Sequence, residues 1–414
     1  MNFNEVVQYL ENLTIMPKTM PGLEKIRGAV AEKSWFKNLD SKKIITVAGT
    51  NGKGTTCSTL EALLLSAKKN VGLYTSPHLV QTTERIRING VDISEIHFVN
   101  IFLKNKQTLE KHELSHFEAL TLMAADYFFS ENNLDYVIFE VGLGGTYDAT
   151  NIFPNHYSVI TKLGLDHTNI LGPTLQHIAK NKFGIIKNDS VVVHHQLPAE
   201  IHNLKNEVQR NTNSDWILAK TGASFCGKNK NNLTWKIDTP WGEADINLPG
   251  ARAVENAMTA LTLFEQLGFK PSEHIQALNQ ILLQGRMQKI NWPNMTAPIY
   301  LSGDHNPQGV DSLIEILNNY DYKTLHLVVG VGQDKSCDEM FEKLISLPNM
   351  KLYLTETPFK GRAIYDYPTW IIQKSKYSHS NVENILDQLE TISDDLVVVT
   401  GSLYLVGKII KLIT

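Results

Sequence analysis

A glycine-rich stretch with one lysine and two hydroxyl side chains has the clearest chemical meaning in this sequence. From Gly49 to Thr56 it reads Gly-Thr-Asn-Gly-Lys-Gly-Thr-Thr. Glycines allow backbone N–H groups to converge on phosphate oxygens without a side chain in the way. Lys53 can reach the terminal phosphates of a nucleotide, and Thr55 or Thr56 offers a hydroxyl to Mg²⁺. The stretch therefore predicts a phosphate-binding loop.

The elements on either side of this loop fit that interpretation. The β-branched run Ile44–Val47 predicts a strand before it, and apolar residues at steps of three and four predict a helix after it. The start of that helix adds a partial positive charge. The match is imperfect, because Gly49 lies only three residues before Gly52 and Gly54 separates Lys53 from the hydroxyl residues. The alternative is an ordinary glycine turn before a helix.

A carboxylate ends a second apolar run. Tyr136–Phe139 predicts a buried strand, Glu140 is its last residue, and the glycine-rich Gly142–Gly145 follows. Ligands of open α/β sheets bind at the carboxyl ends of the strands. Glu140 is therefore well placed to serve a bound nucleotide through a metal ion. The alternative is a solvated acid at a strand end.

The composition excludes several classes of protein. The chain has 414 residues, which predicts roughly two or three domains, and its net charge of −4 gives no basic field for nucleic acid. The cysteines, at positions 57, 226 and 337, form no CxxC pair, so we expect a reducing compartment without disulfides or a zinc site. No apolar run approaches the roughly 18 residues that span a bilayer. The acidic N-terminal segment is unlike a signal peptide, so we expect a cytoplasmic enzyme.

Strand and helix patterns alternate along most of the chain, which predicts a mostly parallel sheet. Asn89-Gly90 signals a two-residue hairpin turn, and Ser94 fits the N-cap of a helix over about 95–107. A helix is expected from Thr174 through Lys187. Short strands are expected over 190–248, and helices at about 252–267 and 272–283. A hinge is expected near residue 285. A second alternating set of strands and helices follows, with strands expected over 298–301, 324–329, 351–354 and 396–399.

Ten short stretches match one protein family in the same order along the chain. They are Ala48–Thr55, Thr75–Leu79, Phe117-Glu118, Glu140–Gly145, Asp148–Asn151, Leu165–Thr168, Lys182, Gly285-Arg286, His305–Pro307 and Gly401-Ser402. Each is weak alone, but the ordered set is specific. The chain resembles the folylpolyglutamate synthase and dihydrofolate synthase family, a branch of the Mur ligase superfamily.

The resemblance implies an α/β protein with an N-terminal P-loop ATPase domain, here 1–288, and a smaller Rossmann-like C-terminal domain, here 289–414. It implies an active site in the cleft between them and ATP-dependent amide formation as the reaction. ATP phosphorylates a substrate carboxylate, and the amine of L-glutamate attacks the acyl phosphate. The carboxylate belongs to dihydropteroate in dihydrofolate synthesis and to a reduced folate in polyglutamylation. A monomer is the family expectation, with no nucleic acid or membrane partner.

By the same resemblance, three groups of residues surround the reacting atoms. The nucleotide would be held by Thr50, Asn51, Gly52, Lys53, Gly54, Thr55, Asn256 and Arg286. Mg²⁺, in two sites, would be held by Ser76, Glu140 and His167 and by a carbamate formed from CO₂ on Lys182. The pterin-side pocket would use Gly22, Leu23, Ser115, Phe117, Tyr147, Asp148 and Ala149. The catalytic residues would be Lys53, Lys182 and His305, with His305 near the transferring phosphoryl group.

Residue types alone leave several of these roles open. An imidazole is an unusual Mg²⁺ ligand, so His167 fits a core or capping histidine equally well. Lys182 fits a solvated helix lysine, and Phe117 fits a core residue as well as a platform for a flat ring. Carbamoylation needs a neutral amine, so we expect the site to lower the pKa of Lys182.

Three positions depart from the family pattern. Ser302 stands where members usually have an aspartate that holds the ATP ribose, and Asp304 appears next to His305 instead. If the strand extends this far, residues 302 and 304 point to the same side, so we expect Asp304 to take over the ribose contact. Thr146 replaces an arginine of the folate pocket. The second domain reads Asp334-Lys335-Ser336 where Asp-Lys-Asp is often found.

Several functions compete for this sequence. The first is a bifunctional ligase that carries out both reactions, and a close alternative makes only polyglutamates. A cell-wall Mur ligase is disfavoured because two of the matching stretches look folate-type. A nucleotide-gated switch built on a phosphate loop would need no metal site made from a carboxylate and a lysine. The joint presence of Glu140, His167, Lys182 and His305 therefore favours chemistry.

Overall fold

The computed structural model describes residues 1–14, 22–130, 132–227, 234–281, 283–333, 335 and 337–413. The sequence Met20-Pro21-Gly22-Leu23-Glu24 predicts a turn, and its first two residues lie outside the described part. Asp334 and Ser336, of the stretch that departs from Asp-Lys-Asp, lie outside it as well. Of the helices in the described part, none is long and apolar enough to cross a bilayer.

Strands and helices alternate along the described residues. The strands are β1 (Ile44–Ala48), β2 (Val71–Tyr74), β3 (Ile86–Ile88), β4 (Val91–Asp92), β5 (Tyr136–Glu140), β6 (Tyr157–Ile160), β7 (Val191–His194), β8 (Asp215–Leu218), β9 (Ala223–Gly227), β10 (Thr234–Thr239), β11 (Gly242–Ile246), β12 (Arg286–Ile290), β13 (Ile299–Ser302), β14 (Leu325–Val329), β15 (Met350–Thr355), β16 (Ser375–His379) and β17 (Leu396–Thr400). The α-helices are α1 (Phe3–Glu11), α2 (Glu24–Ala31), α3 (Lys53–Ser66), α4 (Glu95–Lys111), α5 (His116–Ser130), α6 (Thr168–Leu171), α7 (Leu175–Phe183), α8 (His202–Thr212), α9 (Ala251–Gln266), α10 (Pro271–His274), α11 (Pro307–Leu317), α12 (Cys337–Leu344), α13 (Thr369–Lys374), α14 (Val382–Asp387) and α15 (Leu403–Ile413).

The first sheet has the order β4-β3-β2-β5-β1-β6-β7-β8. From β2 to β8 along that order the strands pair in parallel, and β3 and β4 form an antiparallel edge. The turn of this edge hairpin has Asn89 at a φ of 52° and Gly90 at 78°. Both lie in the left-handed region that a two-residue hairpin turn requires. The expected hairpin and the mostly parallel sheet are confirmed.

Strand β1 lies between β5 and β6 and is buried along its whole length. Val47 pairs with Glu140 and Ala48 pairs with Ile160, so the three strands end at the same edge. A parallel strand covered on both faces is largely apolar, which explains the β-branched run of β1. The phosphate loop, Glu140 and the loop after β6 are therefore positioned at one edge of the sheet.

The C-terminal part of the chain has its own sheet, with the order β12-β13-β17-β14-β15-β16. Only β12 pairs antiparallel among these strands, and the others are parallel. The four strands predicted here, near 298, 324, 351 and 396, correspond to β13, β14, β15 and β17. Strand β16 was not predicted because its sequence, Ser-Lys-Tyr-Ser-His, has no apolar pattern. The α/β class of this part is confirmed.

The chain divides into two compact units. The first comprises Met1–Ala223, Asp238–Ala244 and Ala253–Ile281, and the second comprises Ser224–Ile237, Asp245–Arg252 and Leu282–Thr414. Strands β9, β10 and β11 form a small separate sheet. The boundary after residue 288 stays a prediction.

Two helices differ from the sequence-based expectation. Thr174 caps a helix as expected, but α7 ends at Phe183, so Lys187 lies outside it. The next residue, Gly184, has no room for a side chain beside Thr146, which fixes the chain there. The stretch 272–283 is α10 followed by a 3₁₀ helix rather than one helix.

A buried carboxylate ties α4 and α5 to the chain before β1. Asp126 is 1% exposed, and it accepts hydrogen bonds from Trp35 Nε1 at 2.7 Å and Asn105 Nδ2 at 2.8 Å. Lys104 Nζ lies 3.1 Å from the same carboxylate. Burial raises the pKa of Asp126, but these hydrogen bonds outweigh it and hold the pKa below its ordinary value. The ionised carboxylate therefore stabilises the folded unit.

Asp126→Asn should lower the free energy of unfolding by about 2 kcal/mol at neutral pH, because Trp35 and Asn105 donate to different carboxylate oxygens and one of them would face the amide NH2 group. A depressed folded-state pKa gives stability that is complete above the unfolded pKa and is lost as pH falls through the folded pKa. The native protein should therefore lose thermal stability in acid more steeply than the variant. Circular dichroism melts at neutral and acid pH measure this. Asp215→Asn, at an exposed position, is the control, and equal effects of the two variants would contradict the assignment.

Candidate active site

The loop after β6 fixes the backbone of the phosphate loop. The N–H groups of Thr50 and Asn51 donate to the carbonyl oxygen of Lys162 at 2.9 and 3.3 Å, and Thr50 Oγ1 accepts from the N–H of Gly164 at 3.1 Å. These two amides are thus used inside the protein. The next N–H groups along the loop, those of Gly52–Thr55, lie at the start of α3, and nucleotide binding by Thr50 and Asn51 stays a prediction.

At two positions of the loop only glycine fits, because neighbouring side chains lie too close to the backbone for a Cβ atom. A Cβ at Gly49 would collide with Thr161 Oγ1, and a Cβ at Gly52 would collide with the amide of Asn256. Gly52 has a φ of 92° and precedes α3, and no side chain in the described residues caps this helix start. An uncapped helix N-terminus attracts an anion. Asn256 Oδ1 is buried without a hydrogen-bond partner in the described residues, so it fits the expected nucleotide contact.

Two lysine side chains share one carbonyl oxygen. Lys53 Nζ donates to the oxygen of Gly49 at 3.1 Å, and Lys182 Nζ donates to the same oxygen at 2.8 Å. Lys182 is 5% exposed, which excludes a solvated helix lysine. Burial, with the charge of Lys53 as a further cause, lowers the pKa of Lys182 to about 7. The expected lowering is present, so part of this amine is neutral near pH 7.

The glycine-rich loop after β5 holds the end of α7 that carries Lys182. A Cβ at Gly145 would lie 2.6 Å from the carbonyl oxygen of Asn181 and 3.0 Å from Cα of Lys182. The N–H and Oγ1 of Thr146 donate to the Asn181 oxygen at 2.8 and 3.0 Å. Thr146, which stands in place of an arginine, thus binds the backbone next to Lys182.

Ser76 and Glu140 are brought together at the same sheet edge. The Ser76 N–H donates to Glu140 Oε2 at 3.1 Å, and Glu140 is buried. Both carboxylate oxygens lie 3.6 Å from the position that a Cβ would take at Gly54, in the first turn of α3. A carboxylate and a hydroxyl are hard oxygen donors of the type that Mg²⁺ prefers. These residues therefore fit a divalent cation beside the phosphate loop.

His167 lies on the loop after β6, at the start of α6. Its φ of 50° is uncommon for a residue other than glycine. Its N–H donates to Asp166 Oδ1 at 2.9 Å, and its Nε2 lies 4.0 Å from that oxygen. The ring is partly exposed, so His167 is not a core residue. It occupies the N-cap position of α6, although its side chain makes no capping hydrogen bond to that helix. In the described residues no group of three or more His, Cys, Asp and Glu side chains is arranged for a metal. The predicted ligands include only two residues of these types, Glu140 and His167, so that finding does not bear on them.

Three of the expected substrate residues belong to one hydrophobic cluster of the first unit. Leu23 and Ala149 are buried in it, and the half-buried Phe117 packs against it. The centre of the Phe117 ring lies 5.8 Å from the centre of the Tyr74 ring. A Cβ at Gly142 would lie 2.7 Å from the Phe117 ring. The structure thus places this aromatic ring against the glycine-rich loop, with part of its surface exposed.

Asp148 has a structural role that the sequence did not indicate. Its carboxylate accepts from the N–H groups of Gly142, Leu143 and Thr150 at 2.9–3.0 Å. Burial raises the pKa of Asp148 despite these hydrogen bonds. The carboxylate therefore holds the glycine-rich loop in shape, and a contact of Asp148 with substrate stays a prediction.

The other expected substrate residues lie at helix starts and on the surface. Ser115 Oγ donates to Glu118 at 2.6 Å at the start of α5, and Gly22 precedes α2. Tyr147 is 47% exposed. The structure gives these residues no shared contact in the described part of the chain, so their substrate role stays a prediction.

The loop after β2 contains a partly buried pair that the sequence did not indicate. Arg85 Nε donates to His78 Nδ1 at 2.8 Å. Burial, and then the charge of Arg85, lowers the pKa of His78 to about 3, so the imidazole is neutral and accepts this hydrogen bond. The motif that contains His78 was visible in the sequence, but nothing local indicated its partner.

The second unit holds the remaining predicted residues. Strand β13 ends at Ser302, so the strand does not extend to Asp304. The two side chains are adjacent for a different reason, since Ser302 Oγ donates to Asp304 Oδ2 at 2.6 Å. Arg252 Nη1 lies 4.0 Å from Asp304 Oδ1. Arg286 is exposed on β12 and pairs with Ser302.

His305 follows directly, at the entrance to α11. Its Nδ1 is hydrogen-bonded to the carbonyl oxygen of Gly303 at 2.8 Å. Asn306 caps the helix by accepting from the N–H of Gly309 at 2.8 Å. The ring of His305 is thus oriented by its own loop.

Two family models match the chain. The Mur ligase middle domain matches residues 47–264, and the Mur ligase, glutamate ligase domain matches residues 285–403. The dihydrofolate synthase/folylpolyglutamate synthase of Haemophilus influenzae is 32% identical over 441 residues, which cover 98% of this chain and 96% of that protein. The protein of the same name from Escherichia coli is 34% identical over 313 residues, covering 74% and 70%.

Solved structures agree with these matches. Escherichia coli FolC in complex with DHPP and ADP has a TM-score of 0.83 and 27% identity, over 100% of this chain and 98% of that chain. A bifunctional folylpolyglutamate synthase/dihydrofolate synthase with Mn, AMPPNP and L-glutamate bound has a TM-score of 0.84 and 28% identity, with the same coverage. The chain therefore belongs to the Mur ligase superfamily and, within it, to the dihydrofolate synthase/folylpolyglutamate synthase family.

Proposed function

We propose that this protein is an ATP-dependent ligase that joins L-glutamate to the carboxylate of a pterin-containing acid. ATP phosphorylates the carboxylate, and the amine of L-glutamate attacks the acyl phosphate and releases phosphate. Dihydropteroate would give dihydrofolate, and a reduced folate would gain one glutamate. The observation that carries this proposal is the buried amine of Lys182, hydrogen-bonded to Gly49 of the phosphate loop.

The reaction brings a carboxylate to a triphosphate, so catalysis is mostly positioning and neutralisation of charge. Lys53 and the N–H groups of Gly52–Thr55 would hold the phosphates. A divalent metal ion, held by Ser76, Glu140 and His167, would supply further positive charge. His305 would contact the transferring phosphoryl group, and Asn256 and Arg286 would contact the nucleotide.

We also propose that Lys182 is carbamoylated and holds a second metal ion. A buried ammonium beside the ammonium of Lys53 is unfavourable, because both burial and like charge favour the neutral amine. A neutral amine reacts with CO₂ to give a carbamate and a proton. The product is an anion, which pairs favourably with Lys53 and supplies hard oxygen ligands.

Two other functions remain distinguishable from this proposal. A nucleotide switch would bind ATP but would have no use for glutamate, so ADP release that depends on glutamate separates it from a ligase. A monofunctional polyglutamylating enzyme differs in the acid that it accepts. We further expect a monomer with domains over 1–288 and 289–414, working in the cytoplasm with small-molecule substrates and without a nucleic acid or membrane partner.

The first test is a pair of incubations with ATP, Mg²⁺ and L-glutamate, one with dihydropteroate and the other with tetrahydrofolate, read by mass spectrometry. Product in both tubes is expected of a bifunctional ligase and would mean that the pocket tolerates threonine in place of arginine at position 146. Product with tetrahydrofolate alone would make the enzyme monofunctional. Nucleotide binding without product or ADP in either tube would contradict the ligase proposal.

Carbamoylation has a direct spectroscopic test. The native protein in ¹³C-bicarbonate should show a carbamate carbonyl resonance by NMR, and Lys182→Arg should abolish it. Lys187 is a matched control, because burial lowers its pKa to about 8 while its ammonium donates to Asn151. Lys187→Arg should keep the resonance. A spectrum of Lys182→Arg identical to that of the native protein would refute the assignment.

Asp304 is proposed to replace the missing aspartate as the ribose ligand. Its carboxylate lies next to Ser302, the position at which family members usually carry that aspartate. Asp304→Ala should raise the KM for ATP about tenfold, the usual size of a lost hydrogen bond to a charged group, with a smaller effect on kcat. Asp311→Ala, on the exposed side of α11, is the control. An unchanged KM for ATP in Asp304→Ala would contradict the proposed ribose contact.

A further inference from the structure

We propose that Arg252 is a positioning residue of the nucleotide site, which holds the carboxylate of Asp304 in the orientation that accepts hydrogen bonds from the ribose hydroxyls of ATP. The inference rests on the proposed function, because it takes ATP as the nucleotide. It assigns a role to a residue that no motif in the sequence indicated.

The guanidinium of Arg252 reaches two parts of the same loop. Its Nη1 lies 4.0 Å from Asp304 Oδ1, and its Nη2 donates to the carbonyl oxygen of Gln308. The side chains of Arg252 and Asp304 are 18% and 13% exposed. A guanidinium presents its donors in a rigid planar fork, so the hydrogen bond to Gln308 keeps its positive charge beside the Asp304 carboxylate. One side chain therefore sets both the carboxylate and the first turn of α11.

The backbone before Arg252 is also bound to α11. Gly250 has a φ of 91°, and a Cβ there would lie 2.9 Å from the side chain of Ile316. The N–H of Ala251 donates to Glu315 Oε1 at 3.1 Å. Arg252 thus extends from a segment that is held at successive residues. This distinguishes it from an exposed arginine, whose ion pair would contribute little.

The opposite side of the carboxylate is held by Ser302. Its hydroxyl donates to Asp304 Oδ2 at 2.6 Å, and the Asp304 carbonyl oxygen accepts from the N–H of Gly401 at 3.0 Å. A second aspartate at position 302 would repel Asp304, whereas a serine donates to it. A carboxylate has about four acceptor positions. Ser302 and Arg252 therefore leave the Asp304 carboxylate with capacity for ribose hydroxyls.

The test is the affinity for ATP relative to 2′-deoxy-ATP and 3′-deoxy-ATP, measured by calorimetry with Mg²⁺ and without acid or glutamate. The native protein should bind ATP about tenfold more tightly than at least one deoxynucleotide. Arg252→Gln should bring this ratio close to one by weakening ATP alone. Arg252→Lys should give an intermediate ratio, because a lysine reaches Asp304 or Gln308 but not both. Arg210→Gln, on the exposed face of α8, should keep the native ratio.

A purely structural role for Arg252 would weaken all three nucleotides equally and leave the ratio unchanged, which would overturn the inference. A native protein that does not discriminate between the nucleotides would also overturn it. If Arg252→Gln fails to fold, Arg252→Lys provides the test. A native ratio of ATP to deoxynucleotide affinity in Arg252→Lys would contradict the proposal. Because no ligation is measured, failure of the proposed enzymatic reaction is detected separately by the incubations with glutamate.

Discussion

The predicted lysines of the first unit are held by one carbonyl oxygen, that of Gly49, which accepts hydrogen bonds from both Lys53 and Lys182. Two ammonium groups at one acceptor repel each other, and the more buried one loses its proton more easily. The arrangement requires a rigid backbone at Gly49, which the contacts with Thr161 and Lys162 provide. It places a buried amine with a lowered pKa against the glycine-rich loop, a combination that a nucleotide-binding loop alone does not need.

The two units use the same structural plan, each on its own sheet. In the first, the buried strand β1 runs into a glycine-rich loop and the uncapped N-terminus of α3, with Glu140 at the end of the neighbouring strand. In the second, β13 runs into the loop with Asp304 and His305 and then into α11. In both, side chains at the carboxyl end of a parallel strand are held by backbone contacts, where α/β folds bind their ligands.

Local patterns in the sequence were sufficient to predict the strand, loop and helix around Lys53, the edge hairpin and the strand that ends at Glu140. Contacts between distant residues were not predictable in this way. Lys182 contacts Gly49 across 133 positions of sequence, so its burial could not be read from the polar helix that carries it. The use of two loop amides by Lys162 and the pairing of Arg252 with Asp304 also depend on tertiary packing. Asp304 lies beside Ser302 through a hydrogen bond, not through strand alternation.

The central claim is that this protein activates a carboxylate by phosphorylation, and isotope transfer tests it most directly. Dihydropteroate or tetrahydrofolate labelled with ¹⁸O in the reacting carboxylate is incubated with the enzyme, ATP, Mg²⁺ and L-glutamate, and the released phosphate is analysed by mass spectrometry. An acyl phosphate passes one carboxylate oxygen to phosphate when glutamate attacks, so each product formed should yield one ¹⁸O-labelled phosphate. Amide product accompanied by unlabelled phosphate would contradict the account.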